Sequence, residues 1–190
     1  MGNHVGVLAV QGDFEKHIEA VKSCRPDARI TEVRTPEQLA GLTHLIIPGG
    51  ESTTVGLLLQ RYGLGPAIQN AAMAGLPIWG TCMGMILMAS SVAGREQYSL
   101  NLLDITVERN AFGAQVHSFE EELQVNGLEE PLMAVFIRAP IVTVVGENVE
   151  ILATVNERIV AVRQDNRLGT SFHPELTADT RLHDWFLSWS

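Results

Sequence analysis

Short apolar runs alternate with helical patterns in the first half of the chain. Residues 5–10 (VGVLAV) form a nearly continuous apolar run, which is typical of a strand that is buried on both faces. Behind this run, Phe14, Ile18 and Val21 recur at helical spacing, with charged residues between them. Further strands are predicted at 29–33, 43–47 and 77–79, and further helices at 57–62, 67–74 and 83–89. This order of elements predicts a parallel sheet with helices on its faces and right-handed crossovers.

The pattern changes after residue 100 to short runs that are rich in β-branched residues. Strands are predicted at 102–107, 133–137, 141–145, 149–155 and 159–162, and a last helix at 179–187. No internal repeat, low-complexity tract or linker separates the two halves. We therefore expect one α/β domain over residues 1–190, with a mainly parallel central sheet and an antiparallel or mixed extension. In open sheets of this kind, ligands bind beyond the carboxyl ends of the strands.

The composition is that of an acidic globular protein. Of the 190 residues, 46% are hydrophobic and 18% are charged, and 13 basic against 22 acidic side chains give a formal net charge of -9. Such a surface repels phosphate groups, so nucleic acid and membranes are not expected as partners. The longest apolar stretch falls short of a membrane span, and no signal peptide is apparent. With only two cysteines and no export signal, a cytoplasmic protein is the expectation.

Residues 80–84 (GTCMG) carry the strongest chemical signal. They lie between a predicted strand and a predicted helix and match the G-x-S-x-G nucleophile elbow, with Cys82 in place of serine. The glycines allow a sharp turn, and the cysteine then lies at a helix N-terminus, where the dipole favours the thiolate. The N–H of Met83 is a natural donor to an oxyanion. The alternative is a small buried cysteine in a turn, and this is our interpretation of Cys24.

A cysteine nucleophile needs a base and a group that orients the base, and residues 171–175 (SFHPE) offer both. A proline pushes the residue before it toward the extended region, where residues i and i+2 point to the same side. His173 and Glu175 can therefore face one cleft, with the carboxylate within reach of the imidazole. A strand-end turn with a solvated glutamate and a packed histidine is the alternative. The remaining histidines lack such a partner and are interpreted as surface or packing residues: His4, His17, His44, His117 and His183.

A glycine turn and two arginines complete the candidates. Residues 48–54 (PGGESTT) follow the third strand, and their backbone N–H groups could bind an anion or an oxyanion. Alternatively, the turn is only a helix cap, with Ser52 or Thr53 at the N-cap. Arg109 and Arg138 follow predicted strands, where they could grip a carboxylate or simply cap the sheet edge. Neither a phosphate loop nor a dinucleotide fingerprint is present, and without a metal-ligand motif no metal is expected.

Taken together, these segments resemble the class I glutamine amidotransferases, and more narrowly the glutaminase subunits of pyridoxal 5'-phosphate synthase. The elbow and the His-Pro-Glu segment are shared across the superfamily. The narrower resemblance rests on residues 11–12 (QG), 48–54, 108–110 (ERN) with 112–113 (FG), and 136–140 (FIRAP). These segments occur in the family's order over nearly the whole chain. The resemblance implies a flavodoxin-like, three-layer α/β/α fold.

The same resemblance implies a reaction and a set of residue roles. The reaction is hydrolysis of L-glutamine to L-glutamate and ammonia through a thioester, with Cys82 as nucleophile, His173 as base and Glu175 as orienter. The implied glutamine-binding residues are Gly50, Glu51, Ser52, Arg109, Ile137 and Arg138. The implied oxyanion hole comprises Gly49, Gly50 and Met83, and Gln11 corresponds to a position near the subunit interface that helps to form the active arrangement. The implied partner is a barrel-shaped synthase subunit of the PdxS family, which receives the ammonia for vitamin B6 synthesis and activates the glutaminase when it docks.

Three other functions are weighed against this one. A glutaminase for histidine, purine or aminobenzoate synthesis would not explain the matches at residues 11–12 and 137–140. A stand-alone cysteine hydrolase or stress protein on a similar fold has no use for His173 and Glu175 at this spacing. A catalytically silent module that regulates a synthase does not need an intact triad.

Overall fold

The computed structural model describes residues 2–112 and 118–190, so Gly113 of the FG segment and His117 lie outside the described part. Twelve strands and five α-helices are defined in it. In chain order they are β1 (His4–Leu8), α1 (Phe14–Cys24), β2 (Arg29–Val33), β3 (His44–Ile47), α2 (Ser52–Arg61), α3 (Leu64–Met73), β4 (Ile78–Thr81), α4 (Met83–Met88), β5 (Ala89–Val92), β6 (Leu103–Glu108), β7 (Ser118–Leu123), β8 (Leu132–Ile137), β9 (Ile141–Val145), β10 (Glu150–Val155), β11 (Arg158–Gln164), β12 (Arg167–Thr170) and α5 (Arg181–Phe186). Two short 3-10 helices span Pro36–Leu39 and Pro174–Leu176.

A ten-stranded sheet forms the middle of the fold. Its strand order is β2-β1-β3-β4-β12-β11-β9-β6-β5, and β10 pairs with β11 beside this path. The strands from β2 to β12 in this order are parallel, and the antiparallel pairing begins where β11 meets β12. Strands β7 and β8 form a separate antiparallel hairpin. The prediction of a mainly parallel sheet with an antiparallel or mixed extension is therefore confirmed.

Alternate side chains of the central strands enter two apolar cores, one on each face of the sheet. In β3, Leu45 and Ile47 pack with apolar residues of α2, α3 and α4, whereas Ile46 packs with residues of α1, α5 and the β7–β8 hairpin. This alternation places helices on both faces of the sheet, since each face must be covered to bury its side chains. The expected three-layer α/β/α arrangement is confirmed.

Three strands are not predicted from the sequence, and in each case there is a physical reason for the omission. Strand β5 (ASSV) has only four residues and follows α4 directly, so the predicted helix already includes its first residue. Strand β7 has the sequence SFEEEL and is mostly exposed, because it lies in a hairpin outside the main sheet. Strand β12 has the sequence RLGT and is only four residues long. Its parallel neighbour stabilises it, and no local pattern marks it.

The sheet brings the candidate residues to one edge. Strands β4 and β12 are parallel neighbours, with Thr81 opposite Thr170. Cys82 is the first residue after β4, and His173 is the third residue after β12. Strand β3 lies on the other side of β4, and it leads directly into the glycine turn at 48–51. The carboxyl ends of three neighbouring strands therefore deliver three candidate segments to the same place.

Candidate active site

Cys82 lies in a strained turn between β4 and α4. Its backbone φ of 50° and ψ of -106° are values that non-glycine residues rarely adopt. The surroundings hold it there, since its N–H donates a 2.7 Å hydrogen bond to the carbonyl of Thr170 and α4 begins at the next residue. A Cβ on Gly80 would collide with the backbone of Gly84, and a Cβ on Gly84 would collide with the carbonyl oxygen of Ile47. Both glycines are therefore needed for this elbow, as its sequence predicts.

A short hydrogen bond joins His173 to Glu175. Nδ1 of His173 lies 2.7 Å from Oε1 of Glu175, and both side chains are buried. Residues Pro174–Leu176 form a 3-10 helix, so the predicted extended segment is wrong beyond His173. Proline fits the first position of a helical turn, and this turn brings Glu175 back toward the imidazole. The predicted contact between His173 and Glu175 is therefore present, but a helical turn forms it and not the alternation of side chains along a strand.

The charges of this pair favour an imidazolium beside the sulfur. Burial lowers the pKa of His173, but hydrogen bonding to Cys82 and Glu175 outweighs burial and raises that pKa to about 10. Burial also opposes the charge on Glu175, yet the neighbouring His17 and the hydrogen bond to His173 hold its pKa below the usual range. An ionised carboxylate thus supports a protonated imidazole next to a cysteine, which is the arrangement of an activated thiol.

A cavity of about 290 Å³ opens beside Cys82 and His173. This volume lies at the small end of ligand pockets and suits a ligand of the size of one amino acid. The thiol of Cys82 donates a long hydrogen bond, 3.8 Å from Sγ, to the carbonyl of Ile137. The predicted residues Gly50, Glu51, Ser52, Met83, Arg109, Ile137 and Arg138 also line the cavity, as do Asp13, Ile86 and Asn110, which the sequence analysis did not single out. Asp13 directly follows residues 11–12, and Asn110 lies within residues 108–110. Both segments carry the family resemblance, so the resemblance could have identified these two residues.

Gly49 packs against the catalytic candidates from behind the turn. A Cβ at this position would lie 2.7 Å from Cε1 of His173 and 3.7 Å from Cβ of Cys82. Only glycine allows so close an approach without moving the imidazole. Of the three residues predicted for the oxyanion hole, Gly49 and Met83 therefore adjoin Cys82, and Gly50 and Met83 line the cavity beside it.

Glu51 is the N-cap of α2, a position for which the sequence offered Ser52 or Thr53. Its carboxylate accepts hydrogen bonds from the N–H groups of Thr53 and Thr54, at 3.1 and 2.8 Å. The Thr54 hydroxyl donates to the same carboxylate, at 2.9 Å. Burial raises the pKa of Glu51, but these hydrogen bonds outweigh burial and lower it to about 2. The cap thus fixes a negative charge in the wall of the cavity.

Arg109 and Arg138 bring positive charge to the same cavity. Nη2 of Arg109 lies 3.5 Å from Oε1 of Glu51, and its Nη1 is buried without a hydrogen-bond partner among the described residues. Arg138 follows β8 in a left-handed backbone conformation, with a φ of 44°. The two guanidinium groups can bind a carboxylate, and Glu51 can bind an ammonium group. The wall therefore matches the two charged ends of an α-amino acid.

Gln11 is exposed and contacts the glycine turn from outside. Its Oε1 accepts a 3.2 Å hydrogen bond from the N–H of Glu51. A Cβ on Gly50 would lie 2.9 Å from the same oxygen, so the two residues are in close contact. The side chain of Gln11 can therefore influence the conformation of the turn while remaining open to another molecule.

Two of the histidines interpreted as surface or packing residues are buried next to the triad, and the expectation that they lack a polar partner is wrong. Nε2 of His17, on α1, lies 3.4 Å from Oε2 of Glu175 and 3.1 Å from Oγ1 of Thr81. Nδ1 of His17 lies 3.0 Å from Nε2 of His183, on α5. Both histidines are fully buried. No local pattern could reveal this contact, because His17 and His183 are 166 positions apart and meet only through the packing of α1 on α5.

The other described histidines lie elsewhere. His4 and His44 begin β1 and β3, at the ends of these strands that are remote from the glycine turn. In the described ranges, no group of three or more His, Cys, Asp or Glu residues is arranged to hold a metal ion. None of the helices in the described part is long and apolar enough to cross a membrane.

Comparison with known proteins agrees with this geometry. Residues 7–189 match the SNO glutamine amidotransferase family. A protein of Geobacillus kaustophilus named "Pyridoxal 5'-phosphate synthase subunit PdxT" is 50% identical over 184 residues, which cover 97% of this chain and 93% of the relative. The protein with the same name in Herpetosiphon aurantiacus is 55% identical over 188 residues, which cover 96% of this chain and 98% of the relative.

Solved structures agree as well. A crystal structure described as a glutamine amidotransferase superposes with a TM-score of 0.91 at 50% identity and covers 96% of both chains. The structure of PurLQS from Thermotoga maritima has a TM-score of 0.67 at 20% identity, covers 98% of this chain and 95% of that one, and supports the fold alone. With nearly its whole length matched in sequence and its fold matched in structure, the chain belongs to the SNO glutamine amidotransferase family.

Proposed function

We propose that this chain is the glutaminase subunit of a pyridoxal 5'-phosphate synthase. Residues 1–190 form one glutaminase domain, which works in the cytoplasm and releases ammonia from L-glutamine for vitamin B6 synthesis. The observation that carries this proposal is Cys82 in a strained elbow beside the His173–Glu175 pair, facing a cavity of amino-acid size. The name that the relatives share supports the choice of synthase among the uses of a glutaminase.

Binding places the carboxamide of glutamine at the sulfur. Arg109 and Arg138 take the α-carboxylate, and Glu51 takes the α-ammonium group. Gly50, Ser52 and Ile137 complete the wall around the substrate. Because both charged ends are held, the side chain of glutamine extends toward Cys82 in one orientation.

The first chemical step forms a thioester and releases ammonia. The thiolate of Cys82 attacks the carboxamide carbon, and the oxygen of the tetrahedral intermediate accepts hydrogen bonds from the N–H of Met83 and from the turn at 49–50. The imidazolium of His173 then donates its proton to the leaving nitrogen, the C–N bond breaks, and a γ-glutamyl thioester remains on Cys82. Glu175 orients the imidazole and stabilises its positive charge.

The second step restores the cysteine. Neutral His173 accepts a proton from water, and the hydroxide formed attacks the thioester carbon. The C–S bond breaks, the thiolate leaves beside the imidazolium, and glutamate departs. Each step is balanced by protein groups and water alone, so the reaction needs no cofactor.

A synthase partner is part of the proposal because free ammonia is lost in water, where it protonates to unreactive ammonium. A barrel-shaped synthase subunit of the PdxS family would receive the ammonia by a shielded route. Docking would also set the turn at 49–50, whose glycines permit a change of backbone conformation. Gln11, which is exposed and bonded to this turn, is the residue through which we expect the partner to act.

Glutamate release from glutamine tests the proposal. The purified chain is assayed alone and with a pyridoxal phosphate synthase subunit, beside Cys82→Ala. We expect strong stimulation by the partner and loss of activity in the variant. Full activity without the partner would instead indicate a stand-alone hydrolase. No activity in either mixture would refute the assignment and leave a silent module or a different synthase.

A further inference from the structure

A chain of buried polar groups continues from the triad into the core. Oε1 of Glu175 binds His173, and Oε2 is buried without a hydrogen bond that meets ordinary geometry in the described part. Nε2 of His17 faces this second oxygen at 3.4 Å. Beyond it, Nδ1 of His17 lies 3.0 Å from Nε2 of His183, whose own Nδ1 has no partner among the described residues.

These groups are enclosed by apolar and aromatic side chains. His17, Thr81 and His183 are fully buried. Trp79 packs edge-on against both imidazoles, with ring centroids 5.9 Å from His17 and 4.9 Å from His183. In such surroundings a hydrogen bond is stronger than in water, and a polar group without a partner is costly.

The cost of a buried polar group without a partner decides which nitrogens of His17 and His183 carry protons. With a proton on Nε2, His17 donates to Oγ1 of Thr81 and presents the same N–H to Oε2 of Glu175 at 3.4 Å, while its Nδ1 accepts from Nε2–H of His183. Nδ1 of His183, which has no partner among the described residues, is then unprotonated and is only a hydrogen-bond acceptor. The opposite tautomer points a lone pair of His17 at the carboxylate and leaves a buried N–H of His183 unpaired. Buried unpaired N–H groups are the rarer defect, so the first arrangement is favoured.

We propose that His17, held in this tautomer by His183, is a positioning residue for the triad. Its Nε2–H is bonded to Thr81 and lies 3.4 Å from the second oxygen of Glu175, so its dipole favours negative charge on this oxygen while the first oxygen stays directed at His173. A carboxylate that is hydrogen-bonded at one oxygen and faces an N–H dipole at the other keeps its orientation, and its charge is stabilised. This in turn supports the imidazolium of His173, which delivers a proton to the leaving ammonia, so the role rests on the proposed function.

His17 acts through its N–H group and not through a full charge. Burial, the largest influence, lowers its pKa, so the imidazole is neutral at pH 7. The charged and titratable groups that face it are Glu175, His173, Asp13 and His183. Burial and the neighbouring His17 also lower the pKa of His183, to about 3, which keeps the second imidazole neutral.

Imidazole NMR locates the proton directly and needs no enzymatic activity. In ¹⁵N-labelled wild-type chain at neutral pH, with signals assigned through His17→Gln and His183→Gln, His17 is expected to be protonated at Nε2 and bare at Nδ1. Protonation of His17 at Nδ1 would overturn the proposal, whatever the glutaminase assay shows. This result stands even if the substituted chains fold poorly, because the wild type carries the test.

Two substitutions separate positioning from packing in the complex with the synthase subunit. His17→Phe keeps a ring but loses the N–H, whereas the amide of His17→Gln can replace the Nε2 donor. We expect His17→Phe to lower kcat roughly 10- to 100-fold with little change in the KM for glutamine. The acid limb of its pH profile should move up by about one pH unit, because Glu175 loses the N–H dipole that faces its charged form. His17→Gln is expected to recover most of the activity.

His44→Phe is the matched control, since His44 is also a buried histidine with both nitrogens bonded, to Thr43 and Trp189. It should change stability without moving the pH profile. A folded His17→Phe with unchanged kcat and acid limb would refute the positioning role. A wild-type complex without glutaminase activity would instead refute the proposed function, while the NMR result would still decide the tautomer.

Discussion

At Cys82, the backbone conformation and the proposed chemistry depend on each other. The positive φ turns the sulfur toward the cavity, and Gly80 and Gly84 permit the close contacts that hold this turn. Cys82, His173 and Glu175 are visible in the sequence because each lies in a short motif with its own local geometry. His17 is not visible, because its contact with Glu175 is created only when α1 packs on the sheet.

The pKa of His173 tests the coupling between sulfur and imidazole. Removing the sulfur in Cys82→Ala removes one of the two groups that raise this pKa, so it should fall well below the value of about 10 in the wild type. An NMR titration of the His173 signals measures the change. Cys24→Ala, at the end of α1, is the matched control and should leave the titration as it is. Equal pKa values in wild type and Cys82→Ala would show that the sulfur does not act on this histidine.

Helices and strands whose apolar residues recur with a clear periodicity are predicted well from the sequence. The strand predicted at 29–33 and the helix beginning at Phe14 match β2 and α1. Helix α2 begins at Ser52, earlier than the predicted 57, because Glu51 caps it and extends it into the glycine turn. Glutamate is an uncommon N-cap, so the sequence alone favoured Ser52 or Thr53.

The cap of α2 should make stability depend on pH. Glu51→Gln removes a charged acceptor from a partly exposed site, so we expect a loss of about 0.5 kcal/mol at neutral pH. The folded pKa of Glu51, about 2, is below the ordinary 4.5, so its contribution is complete above the ordinary value and is lost as the pH falls toward about 2. Urea unfolding of both chains at neutral and acidic pH measures the difference. Glu121→Gln on β7 is the control, and a Glu51→Gln chain as stable as wild type at neutral pH would contradict the capping role.

At the scale of the whole molecule, the parallel order of the sheet creates the site. Residues from β3, β4 and β12 meet because these strands are neighbours and end at the same edge. The alternation in the first half of the chain predicts this type of sheet. It does not reveal that β12, from the far end of the chain, lies beside β4, since strand order depends on packing across long sequence distances.

The proposed link to a partner predicts a selective defect at Gln11. In Gln11→Ala, the turn at 49–51 loses a hydrogen bond, and stimulation of glutamate release by the synthase subunit should fall by about 5- to 10-fold. The ratio of activities with and without the partner measures the effect. Gln124→Ala, also exposed, removes an amide whose bonds are local to its own loop, and it should keep the full stimulation. An undiminished ratio in Gln11→Ala would exclude this residue from activation.

Covalent labelling identifies the atom that attacks the substrate. A glutamine analogue with a diazoketone in place of the carboxamide alkylates the nucleophile of a glutaminase site, and mass spectrometry of the digested chain locates the adduct. We predict one adduct per chain, on the peptide that contains Cys82, with protection by glutamine and no modification of Cys24. A chain that turns over glutamine while Cys82 stays unmodified, or an adduct that forms on Cys24 with the same protection, would show that Cys82 is not the nucleophile.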